Sequence, residues 1–280
     1  MRRHPDWLKV KIGGGENYSK IKSMLRQAKL HTICEEAKCP NMAECFGNGT
    51  AVFLIMGDTC TRNCRYCNVK HGEPLPINPD EPKYVAESVK ELGLKYAVIT
   101  SVTRDDLADG GASIFSEVVR EIKNLSKCKI ELLIPDFKGD EEALRKVIDA
   151  EPDVINHNIE VSKELFPTIR PEGNYETSLN VLKTVKKINK KMKTKSGFMI
   201  GLGENREQIL KTMQDLRDAN VDFLTIGQYL QPTKSHAEIK KYYTPEEFNE
   251  FGDIATNLGF KHVESGPLVR SSYHAEKAIC

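Results

Sequence analysis

Residues 51–67 read Ala-Val-Phe-Leu-Ile-Met-Gly-Asp-Thr-Cys-Thr-Arg-Asn-Cys-Arg-Tyr-Cys: an apolar run, Ala51–Met56, then at once a polar loop with cysteines at 60, 64 and 67. A short apolar run closed by a turn signal is the pattern of a buried strand. Five more runs of this kind follow, at Tyr96–Thr100, Ile130–Ile134, Val154–Ile159, Gly197–Ile200 and Phe223–Ile226. Helical patterns alternate with them. Ile114, Phe115, Val118, Val119, Ile122 and Leu125 share one face at periods of three and four, as do Ile209, Leu210, Met213 and Leu216. The segment Pro82–Gly93 ends in glycine, a usual helix stop. Strand–helix alternation repeated six times predicts parallel βαβ units. Six units exceed a small flavodoxin-like sheet and fall short of a closed eight-fold barrel. The expected fold is α/β, an open partial (β/α)6 TIM-like barrel with N- and C-terminal extensions; a doubly wound sheet is the alternative. In both, ligands sit at the carboxyl ends of the strands. The polar segments Asp58–Cys67, Ser101–Gly111, Pro135–Phe137, Glu160, Gly201–Glu204 and Gln228–Gln231 fall just there.

Outward from this core, the first 50 residues are irregular, with Gly13-Gly14-Gly15 and one amphipathic candidate, Tyr18–Leu30. The expected organisation is an arm over 1–50, the barrel over 51–260 and a terminal segment over 261–280. The 280 residues carry 41 basic and 40 acidic side chains, a formal charge of +1. That balance gives no support to binding nucleic acid or an anionic membrane through the field of the whole chain. The longest stretch without Asp, Glu, Lys or Arg is the 13 residues from Cys45 to Gly57, too short for a spanning helix. The start, MRRHPDWLKV, has no apolar h-region, and a cytoplasmic location is expected.

Cysteine is the unevenly distributed residue. Six of eight lie between Cys34 and Cys67. In a chain without an export signal such crowding points to metal binding or catalysis rather than disulfides. Cys60, Cys64 and Cys67, spaced C-x3-C-x2-C, offer three thiolates on one loop. Cluster ligation normally takes four cysteines, so three of them on a [4Fe–4S] cube leave one iron open to a non-protein ligand. A structural zinc loop is the alternative, although it needs a fourth ligand. Cys34, Cys39 and Cys45 form a second triplet that is also one ligand short; a zinc-stapled arm and a second iron–sulfur cluster are its two readings.

The first triplet, placed directly after the first strand, resembles the radical S-adenosylmethionine (SAM) superfamily, in which the open iron chelates the amino and carboxylate groups of SAM. With the second triplet and the terminal Arg270-Ser271-Ser272-Tyr273, the chain is similar to the lipoyl synthase family. The likeness runs from Pro5-Asp6-Trp7-Leu8 to Tyr273. It takes in Gly57–Cys64, Thr103–Gly111, Leu133–Phe137, Asn156–Glu160 and Gln228–Pro232. The resemblance implies insertion of two sulfur atoms, at C6 and C8, into a protein-bound octanoyl chain. Those carbons have no carbonyl near enough to acidify their hydrogens, so a radical has to remove them, and radical chemistry belongs to cofactors. It implies two [4Fe–4S] clusters and SAM. One cluster, on Cys60, Cys64 and Cys67, cleaves SAM. The second, on Cys34, Cys39, Cys45 and Ser272, donates sulfur, with Ser271 as the fallback ligand. Serine oxygen is a harder ligand than thiolate for iron and should detach more easily. The implied partners are an octanoylated lipoyl carrier domain or carrier protein and an external electron donor, with no nucleic acid and no membrane.

Candidates for holding SAM lie after the strands. Tyr66 could pack against the adenine or simply fill the loop. Glu160, with Asn158 beside it, could accept from ribose hydroxyls or the amino group, or form a structural polar pair. Arg170 could fork onto the methionine carboxylate, and Ser101 is a weaker candidate. Cys128 and Cys280 lack a triplet and are left out. The lysines 183, 186, 187, 190, 191, 193 and 195 read as a solvated helix face or a docking surface for an acidic carrier domain.

Overall fold

The computed structural model describes residues 5–8, 30–36, 39, 41 and 52–278. These fall into two compact units. One gathers the described residues of Lys11–Arg62 and Asn68–Ile155; the other gathers those of Met1–Val10, Asn63–Cys67 and Asn156–Cys280.

In the N-terminal unit, β1 (His31–Thr32) leads into a short helix, α1 (Ile33–Glu36), and pairs antiparallel with β2 (Val52–Ile55). A two-residue ladder, β3 (Thr59–Cys60) with β4 (Lys70–His71), stands apart from the main sheet. Then come α2 (Glu81–Glu91), β5 (Tyr96–Ser101), α3 (Ala112–Leu125), β6 (Lys129–Leu133), α4 (Glu141–Asp149) and β7 (Val154–Asn156), with strand order β1-β2-β5-β6-β7. The β2–β5 and β5–β6 pairs are parallel. All four residues of β2 are buried, as expected of a strand covered on both faces. The apolar stripe of α3 buries Phe115, Val118, Val119 and Ile122, and the helix packs between α2 and α4.

In the C-terminal unit, α5 (Phe166–Ile169), α6 (Tyr175–Ile188), β8 (Lys193–Ile200), α7 (Arg206–Asp218), β9 (Phe223–Gln228), α8 (Pro245–Asn257) and β10 (His262–Gly266) give the parallel order β8-β9-β10. Polar side chains set the helix starts. Asn174 accepts from Thr177 N, and capping boxes pair Asn205 with Gln208 and Thr244 with Glu247. The core of this unit joins Ile159, Phe166, Leu182, Phe198, Ile209, Met213, Leu224 and Phe248.

All six expected strands are present, with three adjustments. The run Val154–Ile159 stops being regular at Asn156, because the chain beyond it bonds to β8 out of step: His157 N donates to Lys195 O, Ile159 N to Ser196 Oγ and Glu160 N to Gly197 O. Strand β8 begins four residues before its apolar run, with Thr194, Lys195 and Ser196 buried. Strand β10, His-Val-Glu-Ser-Gly, has no apolar run and forms by parallel pairing with β9. The amphipathic candidate 18–30 lies outside the described residues except for Leu30. No helix among the described residues is long and apolar enough to cross a membrane.

Candidate active site

The loop after β2 begins with a strained residue. Met56 has φ 67°, a left-handed value uncommon for a side chain of this size. Two buried charged groups hold it: Glu81, at the start of α2, accepts from Met56 N at 2.7 Å, and Arg104 Nη1 donates to Met56 O at 3.2 Å. Burial pushes the Glu81 carboxyl above its ordinary pKa, and the Met56 N–H only partly opposes this. Cys60 follows, half-buried and outside any disulfide. Its Sγ accepts backbone N–H groups from Thr103 at 3.3 Å and Arg62 at 3.4 Å. The Thr61 hydroxyl donates to Thr103 O at 3.0 Å and accepts from Asp105 N at 3.1 Å.

Arg62 is buried, with its guanidinium forked onto two carboxylates. Nε and Nη2 reach Asp105 at 2.6 and 3.0 Å; Nη1 and Nη2 reach Asp136 at 2.7 and 2.8 Å. Burial alone would lower its pKa, but the Asp136 and Asp105 bonds outweigh that and raise it above the usual arginine value. Arg62 thus stays charged, and the pair of forks fixes the loop between the first two cysteines.

The remainder of the cysteine loop belongs to the C-terminal unit. Cys67 N donates to Cys64 O at 3.1 Å, closing a tight turn. Arg65 N donates to Ile169 O at 2.9 Å, and Arg65 O accepts from Ala237 N at 2.8 Å. His236 Nε2 lies 2.8 Å from Cys67 O. A carbonyl only accepts, so Nε2 carries a hydrogen, and Nδ1 lies 2.7 Å from the Thr233 hydroxyl.

Four of the five expected SAM contacts belong to this unit. Tyr66, between Cys64 and Cys67, hydrogen-bonds to Glu160, as does the Asn158 side chain. Glu160 has φ 71° and sits in an isolated bridge to Phe198 of β8. Arg170 ends α5, lies 5.5 Å from the Phe166 ring centroid, and donates to Asn158 O at 3.3 Å and Ser178 Oγ at 3.4 Å. Burial raises the Tyr66 pKa well above its ordinary value, with the charge of Glu160 adding to it. Burial also raises that of Glu160, against the opposing pull of Arg170, Asn158 and Tyr66. The Asn158 Oδ1 atom is buried without a hydrogen bond among the described residues, so the group keeps an unused acceptor.

Ser101, in the N-terminal unit, ends β5, and its buried Oγ has no hydrogen-bond partner among the described residues. Ser272 is half-buried in the turns after β10. Ahead of it Val269 crosses β9 so closely that a Cβ on Gly227 would stand 2.2 Å from Val269 O, which only glycine permits. Cys39 is half-buried; Cys45 and the Cys34 side chain lie outside the described residues. Cys128 is buried just ahead of β6, and burial pushes its thiol up to about 12. The lysine run does not form a uniform solvated face. Lys186 pairs with Asp222 and Lys195 is buried. The exposed members, Lys183, Lys187, Lys190 and Lys191, precede the amino end of β8. That is the far end from Gly201, about 26 Å along an eight-residue strand.

Residues 54–216 match the family model of the radical SAM superfamily, and residues 1–39 match that of the N-terminal domain of lipoyl synthase. The lipoyl synthase of Caldanaerobacter subterraneus subsp. tengcongensis is 52% identical over 277 residues, covering 99% of this chain and 97% of that one. That of Caldicellulosiruptor bescii is 54% identical over 275 residues, covering 98% and 94%. The chain belongs to the lipoyl synthase family. As a family member it is a radical SAM enzyme, and its superfamily uses a [4Fe–4S] cluster and SAM. Its fold, a mostly parallel α/β sheet of the partial TIM-like kind, is shared with the crystal structure of methylornithine synthase (PylB), at a TM-score of 0.57 and 14% identity, covering 90% of this chain and 83% of that chain. The Cys60–Cys67 loop offers donor chemistry suited to a cluster: three reduced cysteines, one already receiving two N–H groups at sulfur.

Sequence reasoning missed Thr61, Arg62, Glu81, Thr103, Asp105, Asp136 and His236 as builders of this loop. The available signal was position: Arg62 lies inside the C-x3-C loop, and Asp105 and Asp136 lie in polar segments directly after β5 and β6.

Proposed function

We propose that this chain inserts two sulfur atoms, at C6 and C8, into an octanoyl group carried on a lipoyl carrier domain or carrier protein, in the cytoplasm, with electrons from an external donor. When bound, a reduced [4Fe–4S] cluster splits SAM and supplies the radical that removes hydrogen from unactivated carbon. Cys60, Cys64 and Cys67 are the ligands of that cluster. Ser101, Asn158, Glu160, Arg170 and Tyr66 hold SAM: Arg170 faces its carboxylate, Glu160 and Asn158 accept from its amino or hydroxyl groups, and Tyr66 lies against its adenine. The arm 1–50 contributes Cys34, Cys39 and Cys45 to a second, sulfur-donating cluster. The segment 261–280 contributes Ser272, and the barrel 51–260 holds SAM.

The observation that carries this reading is the Tyr66–Glu160–Arg170 group. It gathers a tyrosine from inside the cysteine turn, a carboxylate in strained backbone after β7 and a buried arginine, with an unused amide acceptor beside them. Perturbed titratable groups gathered in this way mark functional sites. Among the described residues no three His, Cys, Asp or Glu side chains converge on a single-ion site; the cluster assignment rests on spacing and family. The test is mass spectrometry of an octanoylated carrier domain after reaction with anaerobically reconstituted enzyme. Addition of two sulfurs supports the proposal. Formation of 5′-deoxyadenosine with no added sulfur would refute it. Ser272→Ala should leave SAM cleavage intact and impair sulfur transfer; normal turnover in Ser272→Ala with impaired turnover in Ser271→Ala would move the ligand to Ser271.

A further inference from the structure

We infer that Thr61 is a positioning residue that sets the reduction potential of the cluster bound through Cys60, by holding the Thr103 N–H on the Cys60 sulfur. The inference rests on the cluster reading above. Thr103 touches two successive loop residues. Its N–H meets Cys60 Sγ at 3.3 Å, and its carbonyl accepts both the backbone N–H and the hydroxyl of Thr61, each at 3.0 Å. The Thr61 hydroxyl is itself oriented by Asp105 N at 3.1 Å. Thr103 is 43 positions from Cys60, so its N–H is delivered by tertiary structure. The second N–H on the sulfur, from Arg62, is local to the loop. Gly72 N takes the Cys60 carbonyl at 3.0 Å, so the residue is anchored at both its carbonyl and its sulfur.

Hydrogen bonds to cluster sulfurs are among the determinants of cluster potential. The couple gains one electron, from [4Fe–4S]2+ to [4Fe–4S]1+, and the added negative charge spreads onto the sulfur ligands. A donor aimed at sulfur therefore favours the reduced state. Valine at position 61 keeps the shape of threonine and removes the hydroxyl that ties Thr103 O to Asp105 N. Thr103 O is then held by the Thr61 backbone N–H alone, the Thr103 N–H is aimed less firmly at the sulfur, and the potential falls.

The experiment is a mediated redox titration followed by electron paramagnetic resonance. It is run on the full chain in a Cys34→Ala/Cys39→Ala/Cys45→Ala background, so that a single cluster contributes. Thr61→Val should shift the potential negative, with reduction less favourable by up to about tenfold, or about 59 mV for a one-electron couple. Thr61→Ser, which retains the hydroxyl, should return the potential to that of the parent. Thr61→Ala replaces the valine variant if that one does not fold. A parent potential in the variants lacking the hydroxyl would overturn the inference, as would a negative shift in Thr61→Ser equal to theirs. A failure of the cluster reading looks different: the parent background itself would bind no cluster, or would bind one that survives Cys60→Ala.

Discussion

The two halves of the cysteine loop are held by different means. Thr59–Arg62 adds a charged lock to its neutral bonds with Thr103, Asp105 N and Gly72: one buried guanidinium makes four hydrogen bonds to two carboxylates. Asn63–Cys67 has no guanidinium lock of this kind: its bonds are backbone contacts to Ile169 and Ala237, the Cys64–Cys67 turn, the His236 imidazole on Cys67 O and the Tyr66 bond to Glu160. Buried ion pairs give steep, geometrically exact restraint but are intolerant of losing a partner. Neutral bonds are each worth about 0.5–1.5 kcal/mol and fail one at a time. The half with one cysteine is thus locked as a unit, while the half with two cysteines and Tyr66 is held by several separable contacts.

The sharpest way to break the contrast is Arg62→Met. It leaves Asp136, 2% exposed, and Asp105 without their shared counter-charge. Removing one partner of a buried pair costs about 3–5 kcal/mol. Urea unfolding of the apo-protein should show a loss of that size, and Arg62→Lys should recover only part of it, because an ammonium cannot fork onto two carboxylates. A loss under about 1 kcal/mol for the methionine variant would show that charge is not what locks this half.

Next in size is Glu160→Gln. The substitution keeps the shape of the Tyr66–Glu160–Arg170 group and removes its negative charge. SAM affinity, measured calorimetrically on reconstituted enzyme, should fall about tenfold, or about 1.4 kcal/mol. Stability should move the other way. Burial raises the Glu160 pKa, so its folded carboxyl holds a proton more readily than its unfolded one. Its contribution to stability is present at acid pH and is lost as pH rises through the folded pKa. Glu160→Gln should therefore raise the melting temperature of the apo-protein at pH 7–8, with the gain shrinking as pH falls toward the ordinary glutamate range. A lower melting temperature at pH 7 would show that the ionised group is a net structural asset.

Much of the fold was legible because burial on both faces writes each parallel strand as an apolar run. Strand β10 and the two-residue β3–β4 ladder are exceptions, formed by parallel pairing without such a run. The cysteine loop was legible because its ligands are a rare residue at tight spacing. Its supports were not, because their partners are remote and look alike. Asp105, Asp106 and Asp109 are near neighbours in one polar segment, yet Asp105 receives Arg62, Asp106 receives Arg104, and Asp109 binds Gly111 N and Ser113 at the start of α3. The lysine run has the same ambiguity. Composition cannot tell Lys186, paired with Asp222, from Lys187, exposed one residue later.

The smallest expected effect belongs to the half without the guanidinium. His236→Leu removes one donor from Cys67 O and leaves the Thr233 hydroxyl to find water or Ser235. Three backbone bonds remain in the same turn region: Arg65 N to Ile169 O, Ala237 N to Arg65 O and Cys67 N to Cys64 O. One neutral bond lost from such a set should cost about 1 kcal/mol in urea unfolding. The local signature should be faster hydrogen exchange at the Cys67 and Ala237 amides, with the Thr61 amide unchanged. A cost equal to that of Arg62→Met would mean that His236 is as indispensable to its half as the guanidinium is to the other, and the distinction between a charged lock and a set of separable bonds would no longer stand.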